Sequence, residues 1–270
     1  AYYLLDAFYS KEKRGWAWAD NLREKSNFWW IEKLPVVINC CNFLQTKETL
    51  LSIRDVETLF HEFGHAIHEM ISQSPLSELS GFNVEWDFVE LPSQLLENWV
   101  SNNKSLIKLA KHYQTGETLP ESVIKTLDDL DTYMSANGVL GQNTYALLDM
   151  HLYSEEIPEN IQELDQKTLD IVNNYWITQR WEDYKMYCSF SHIFGWGYSA
   201  GYYSYMWAEI LEADVFDTIE SQGMFDPKVG QKLVDTLIGQ GTRKPAWELF
   251  QDFMGREVSN EAFMKRKGLV

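Results

Sequence analysis

The sequence predicts a mainly α-helical chain with a small antiparallel β-sheet, an α+β arrangement. Two observations lead there. Within the first 45 residues, aromatic and β-branched runs alternate with polar, turn-prone stretches. From Asp55 onward, apolar residues recur at the helical period in one segment after another. No internal repeat, low-complexity tract or long linker interrupts the series, so the 270 residues read as a single domain.

The expected strands are Tyr2–Tyr9, Gly15–Ala19 and Val36–Phe43, with turns at Ser10–Arg14 and Glu24–Asn27. The last strand runs directly toward the first helix. That helix should cover Asp55 to about Ser72, with Val56, Leu59, Phe60, Phe63, Ala66, Ile67, Met70 and Ile71 forming a wide apolar face. Asp55 is the expected N-cap, and Ser74-Pro75 ends the helix. A second helix is expected from about Asp87 to Asn102. Asp87 and Glu90 have capping-box spacing, and Pro92 falls near the first turn. Further helices are expected at about 104–113, 120–135, 139–153, 166–178, 198–221, 227–237, 245–254 and 259–266.

Composition excludes some functions. Forty acidic against 23 basic side chains give a net charge of −17, which repels phosphate backbones and argues against nucleic acid. No stretch approaches the roughly 18 apolar residues of a membrane span. The longest apolar stretch, Pro35–Leu44, is broken by Asn39 and Asn42. Three cysteines, with Cys40 and Cys41 adjacent and Cys188 apart, fit a reducing compartment and a cytoplasmic location. The chain opens at Ala1 inside a strand, with no basic leader, so no signal peptide is expected and a fragment or processed product is.

His61-Glu62-Phe63-Gly64-His65 matches H-E-x-x-H. Residues four apart share a helical face, so both imidazoles can reach one ion, and Glu62 can address a water beside it. A third protein ligand is needed. A His six residues past His65 would define one protease class, but that position is Ile71. The acidic candidates are Glu69, Glu78, Glu85, Glu90 and Glu97. Glu85 has the separation used by thermolysin-like enzymes. Glu90 and Glu97 share a helical face with Gln94 between them, so Glu97 or Gln94 can orient a ligand. His68 lies on roughly the same face as the other histidines and reads as packing or support. Spacing alone leaves the third ligand open. Tyr198, Tyr202 and Tyr205 are spaced i, i+4, i+7, one helical face of phenols able to donate to a developing oxyanion. Tyr203 reads as packing.

The stretches FHEFGHAIHEM (Phe60–Met70), NVEWDFVELPSQLLENW (Asn83–Trp99) and FSHIFGWGYSAGYYSYMWAE (Phe190–Glu209) resemble the thimet oligopeptidase and oligopeptidase A family of zinc peptidases. The likeness extends to the opening (Leu5-Asp6, Lys13-Arg14-Gly15, Trp18) and to the ending, Phe253–Leu269. The resemblance implies a zincin-like catalytic domain over residues 1–270, without the helical N-terminal half usual in the family. It implies one Zn2+ per chain held by His61, His65 and Glu90. It makes Glu62 the general base and places His192, Tyr198 and Tyr205 among the catalytic residues, with Tyr202 contacting substrate. The loop Phe194-Gly195-Trp196-Gly197 departs from the family's frequent adjacent glycines.

The implied activity is endopeptidase cleavage of short peptides by a monomer, and the strand Val36–Phe43 would offer its edge to an extended peptide. The alternatives are a peptidyl-dipeptidase removing C-terminal dipeptides and a non-catalytic peptide-binding fragment. If no other chain supplies the family's N-terminal half, the site would be more open.

Overall fold

The structure is a computed structural model that describes residues 1–28 and 30–270. The chain divides into two compact units. The first comprises Ala1–Leu130 with Ala208–Phe263, the second Asp131–Trp207 with Met264–Val270.

The first unit carries the strands β1 (Tyr2–Phe8), β2 (Trp18–Arg23), β3 (Ser26–Phe28), β4 (Ile31–Lys33) and β5 (Val36–Phe43). β3 and β4 form their own hairpin, in a stretch expected to be partly turn. The other strands form a sheet of order β1-β5-β2. This sheet is mixed, not antiparallel as expected. β5 pairs with β2 antiparallel, but with β1 parallel, Tyr2 opposite Val36. The connection from β1 to β5, residues 9–35, contains three further strands, long enough for a parallel crossover. β5 is central, so both its edges are already paired. The expectation that it offers an edge to a peptide is therefore corrected. Its burial follows from that position: Val37, Asn39, Cys40, Cys41 and Phe43 are all buried.

Helix α1 (Ile53–Met70) packs on β5 and on α2 (Leu91–Ser101). Ser52, not Asp55, is its N-cap. Asp55 sits three residues in and closes a capping box, Ser52 Oγ accepting from the Asp55 N–H at 3.2 Å and Asp55 Oδ2 from the Ser52 N–H at 2.9 Å. The α2 capping box expected from Asp87 and Glu90 does not form. A short 3-10 turn spans Trp86–Phe88, and α2 begins after Glu90 with Pro92 in its first turn. Glu90 makes no cap because its side chain is turned toward the α1 histidines. α3 (Asn103–Leu109) follows.

Behind α2 lies the core of this unit. Phe88, Leu91 and Leu95 pack with Leu211, Val215, Phe216 and Ile219 of α8 (Ser204–Gln222) and with Leu249, Phe250 and Phe253 of α10 (Ala246–Met254). Between them run α9 (Pro227–Leu233) and a π-helical turn, Val234–Ile238. A bidentate pair from Arg256 to buried Asp214, at 2.6 and 2.7 Å, ties the segment after α10 to α8.

The second unit is built on α5 (Ser135–Ser154), α6 (Ile161–Tyr175) and α7 (Ser191–Gly195). Its core holds Leu148, Ile171, Phe190, Ile193 and Tyr202. Helices α4 (Glu121–Thr132), α8 and α11 (Glu261–Arg266) contribute residues to both units. No described helix is long and apolar enough to cross a membrane.

Candidate active site

The first cluster lies in unit 1, where α1 meets α2. Gly64, inside H-E-x-x-H, permits the contact. A Cβ there would lie 2.5 Å from the Pro92 carbonyl oxygen and 2.6 Å from the Ser93 Cα. With no side chain at Gly64, the start of α2 lies against α1 and brings Glu90 to the histidines. His61 Nε2 and His65 Nε2 each stand 3.3 Å from Glu90 Oε2. One donor atom from each of the three residues lies within 4.8 Å of the others. Ser93 Oγ donates to Glu90 Oε2 at 2.9 Å, and His61 Nδ1 meets Glu97 Oε1 at 2.5 Å. Phe82 stands edge-on to His65, with centroids 6.1 Å apart.

Electrostatics tie these groups together. Burial would lift the Glu90 carboxyl, but the adjoining His65 and His61 more than offset it and hold Glu90 well below the usual carboxylate range. Burial would likewise lower His61, yet hydrogen bonds and charge from Glu90 and Glu97 raise it well above its ordinary value. Two carboxylates thus compete for positive charge at one imidazole. A divalent cation supplies such charge to a His/His/Glu set, and this donor chemistry suits zinc. Glu62 sits beside the set. Its Oε2 is buried with no hydrogen-bond partner among the described residues, and burial raises its pKa against the lowering influence of His61 and His65. Asn39 of β5 donates to the Glu62 carbonyl at 2.9 Å and anchors that turn of α1.

The remaining acidic candidates fall elsewhere. Glu85 accepts the Ala246 N–H at 2.7 Å, at the start of α10. Glu69 is buried and accepts N–H bonds from Lys25 and Phe82, each at 3.3 Å. Glu78 is exposed. His68 is buried outside the donor cluster, with neither ring nitrogen partnered among the described residues, and burial pushes it down to about 3.

The second cluster lies in unit 2. The His192 ring stands 5.9 Å from Tyr198, 5.7 Å from Tyr202 and 6.0 Å from Tyr205, each edge-on. Tyr198 stacks on Tyr205 at 5.0 Å, and Trp196 stacks on His192 at 6.3 Å. These tyrosines do not share a helical face as the spacing predicts. α8 begins only at Ser204, so Tyr198 and Tyr202 lie in the turns before it. Buried Asp149 of α5 holds those turns, accepting N–H bonds from Ala200 and Tyr202, each at 2.9 Å, and from Gly201. Gly197, at φ +85°, supplies the left-handed residue the turn needs. Tyr202 is buried, its hydroxyl donating to Gln142 Oε1 at 3.2 Å. Sequence reasoning missed Asp149, Asn39 and Ser93. The signal for Asp149 was a lone acid beside Leu147 and Leu148 on a largely apolar helix.

Peptidase family M3 matches residues 1–269. The chain belongs to that family. Organellar oligopeptidase A of Arabidopsis thaliana, chloroplastic/mitochondrial, is 41% identical over all of this chain and 36% of its own length. Oligopeptidase A of Haemophilus influenzae is 35% identical over 99% of this chain and 40% of its own. Dipeptidyl carboxypeptidase of Escherichia coli is 30% identical over the whole chain and 40% of its own. The chain therefore spans 36–40% of the length of these curated relatives.

A solved structure titled PZ peptidase A with inhibitor 2 superposes on 98% of this chain and 42% of its own, with a TM-score of 0.66 at 18% identity. That likeness speaks for the fold. In this chain, the H-E-x-x-H helix α1 and the E-L-P stretch that opens α2 carry the donor cluster.

Proposed function

We propose that this M3 chain is the catalytic portion, residues 1–270, of a zinc metallo-oligopeptidase that hydrolyses short peptides. The gathering of His61, His65 and Glu90 beside a buried Glu62 oxygen with no partner among the described residues carries the reading. His61, His65 and Glu90 would hold one Zn2+ per chain, which supplies Lewis-acid polarisation of the scissile carbonyl and of the attacking water.

Glu62 accepts the proton released as water attacks and returns it to the leaving amine. Its buried setting and raised pKa suit that shuttle. Glu97 fixes the ring orientation of His61 through Nδ1, and Ser93 fixes the carboxylate of Glu90. For His192, Tyr198 and Tyr205 the proposed role is hydrogen-bond donation to the developing oxyanion. Family resemblance and the grouping of the four rings support it. The resemblance implies substrate contact for Tyr202; because it is buried with its hydroxyl on Gln142, the role proposed for it is to back the His192 and Tyr205 rings.

The decisive experiment is Glu62→Gln. It should keep stoichiometric zinc and lose peptide hydrolysis by several orders of magnitude; retained cleavage would sink the assignment. A second reading, release of C-terminal dipeptides, is favoured by the dipeptidyl carboxypeptidase relatives, at 30–31% identity against 34–41% for the oligopeptidases A. A requirement for a free C-terminus in cleavage would select it. A non-catalytic peptide-binding role would show as zinc binding with no turnover of any peptide. The working unit is taken as a monomer in a reducing, cytoplasmic setting. The relatives' names, one organellar and one probable cytosolic, bracket that choice.

A further inference from the structure

Arg180 is an unusual cation in a chain of net charge −17. Its guanidinium carbon lies 4.3 Å from the Trp176 ring centre and 5.3 Å from that of Tyr184. The ion pairs among the described residues do not include it, and its Nε is buried without a hydrogen-bond partner there. Its backbone N–H donates to Asn173 Oδ1 at 2.6 Å, which pins the loop to α6.

The walls of this cage connect to the tyrosine cluster by two routes within unit 2. Trp176 packs on Gly141, where a Cβ would meet the indole edge at 3.0 Å, and the next residue, Gln142, accepts the Tyr202 hydroxyl. Tyr184 lies within electrostatic reach of Tyr145, whose ring is 6.1 Å from Tyr202.

We propose that Arg180, walled by Trp176 and Tyr184, is a carboxylate-binding site that receives one carboxylate of the bound peptide. A guanidinium is planar, and its fork of N–H donors matches a carboxylate in two parallel hydrogen bonds. The two rings hold the guanidinium by cation–π contact, and its N–H groups are donors that a carboxylate can satisfy. The carboxylate is either the peptide's C-terminus or an Asp or Glu side chain. The site rests on the peptidase reading above and adds a substrate preference to it.

The test is equilibrium binding by fluorescence anisotropy, in a Glu62→Gln background that suppresses turnover. Three labelled alanine-based pentapeptides serve as probes: one with a free C-terminus, one amidated, and one amidated with a single internal glutamate. At least one carboxylate peptide should bind about tenfold tighter than the neutral amide. Adding Arg180→Gln should erase that difference while leaving the neutral peptide's affinity and the far-ultraviolet circular dichroism unchanged. Arg180→Lys, which keeps the charge and loses the planar fork, should restore only part of it. Which carboxylate peptide is affected identifies the source. Equal affinities for all three probes, or an equal loss for all three in Arg180→Gln, would overturn the proposal. Failure of the peptidase reading is seen separately, as absence of hydrolysis by the parent chain.

Discussion

Glu97 and Glu90 act on the same imidazole from different directions. Glu90 Oε2 faces Nε2 of His61, and Glu97 holds Nδ1. Removing Glu97 should leave zinc bound but weaken its affinity roughly 10–100-fold, measured by chelator competition. Glu90→Ala should abolish stoichiometric binding, whereas Glu85→Ala should leave it intact, because Glu85 caps the first turn of α10 instead. The reverse result would restore the thermolysin-like spacing.

His68 gives a pH prediction. Buried and neutral, it titrates near 3 in the fold, against 6.5 for an ordinary imidazole. Below about 6.5 the unfolded chain takes up a proton that the fold refuses, so stability is lost as pH falls toward about 3, at up to roughly 1.4 kcal/mol per pH unit. In chelated protein, His68→Leu should make the urea midpoint less dependent on pH across that window.

At the scale of elements, the α1–α2 contact determines whether the cluster exists. Gly64→Ala should push α2 away from α1, costing about 1–3 kcal/mol in stability by chemical unfolding and lowering zinc affinity with it. Unchanged zinc affinity would show that Glu90 reaches the histidines without close helix packing. Gly81 guards the C-terminal end of α1. It has φ +51°, and a Cβ there would fall 1.7 Å from Glu69 Oε2. The same carboxylate accepts the Phe82 N–H, and Phe82 packs against His65.

These local requirements are only partly legible in the sequence. H-E-x-x-H announces a helix, and its internal glycine was visible. Nothing in the spacing says that Pro92 will sit on that glycine. The tyrosine spacing suggested a helical stripe, yet a turn held by Asp149, a residue fifty positions earlier, groups the rings. Strand pairing differs from the expected antiparallel arrangement for a related reason. Alternation of residue types marks strands, but the direction of pairing depends on how far the chain travels between them.

For the molecule as a whole, the metal should couple to folding, because the proposed ligands come from α1 and from Glu90, the residue just before α2, and α2 backs onto the core of unit 1. At a free zinc concentration about a hundredfold above Kd, the ion should add about 2.7 kcal/mol to the stability of the chelated protein, read as a higher unfolding temperature. Chelation should abolish peptide hydrolysis, and zinc should restore it. An unfolding temperature insensitive to zinc would count against a centre bridging the two helices.

By itself, the sequence determined the helical character of the chain, the position of nearly every helix, and the pair of imidazoles one turn apart on α1. Those are consequences of local periodicity. Residue spacing left five acidic candidates for the third donor, and only family resemblance singled out Glu90. Tertiary structure decided what lies in reach of what. It brought Glu90 against His61 and His65 through the bare face of Gly64, sent Glu85 to cap a distant helix, and buried β5 between two partners. Each of these outcomes depends on contacts between segments far apart in the chain, and such contacts leave no period in the sequence to read.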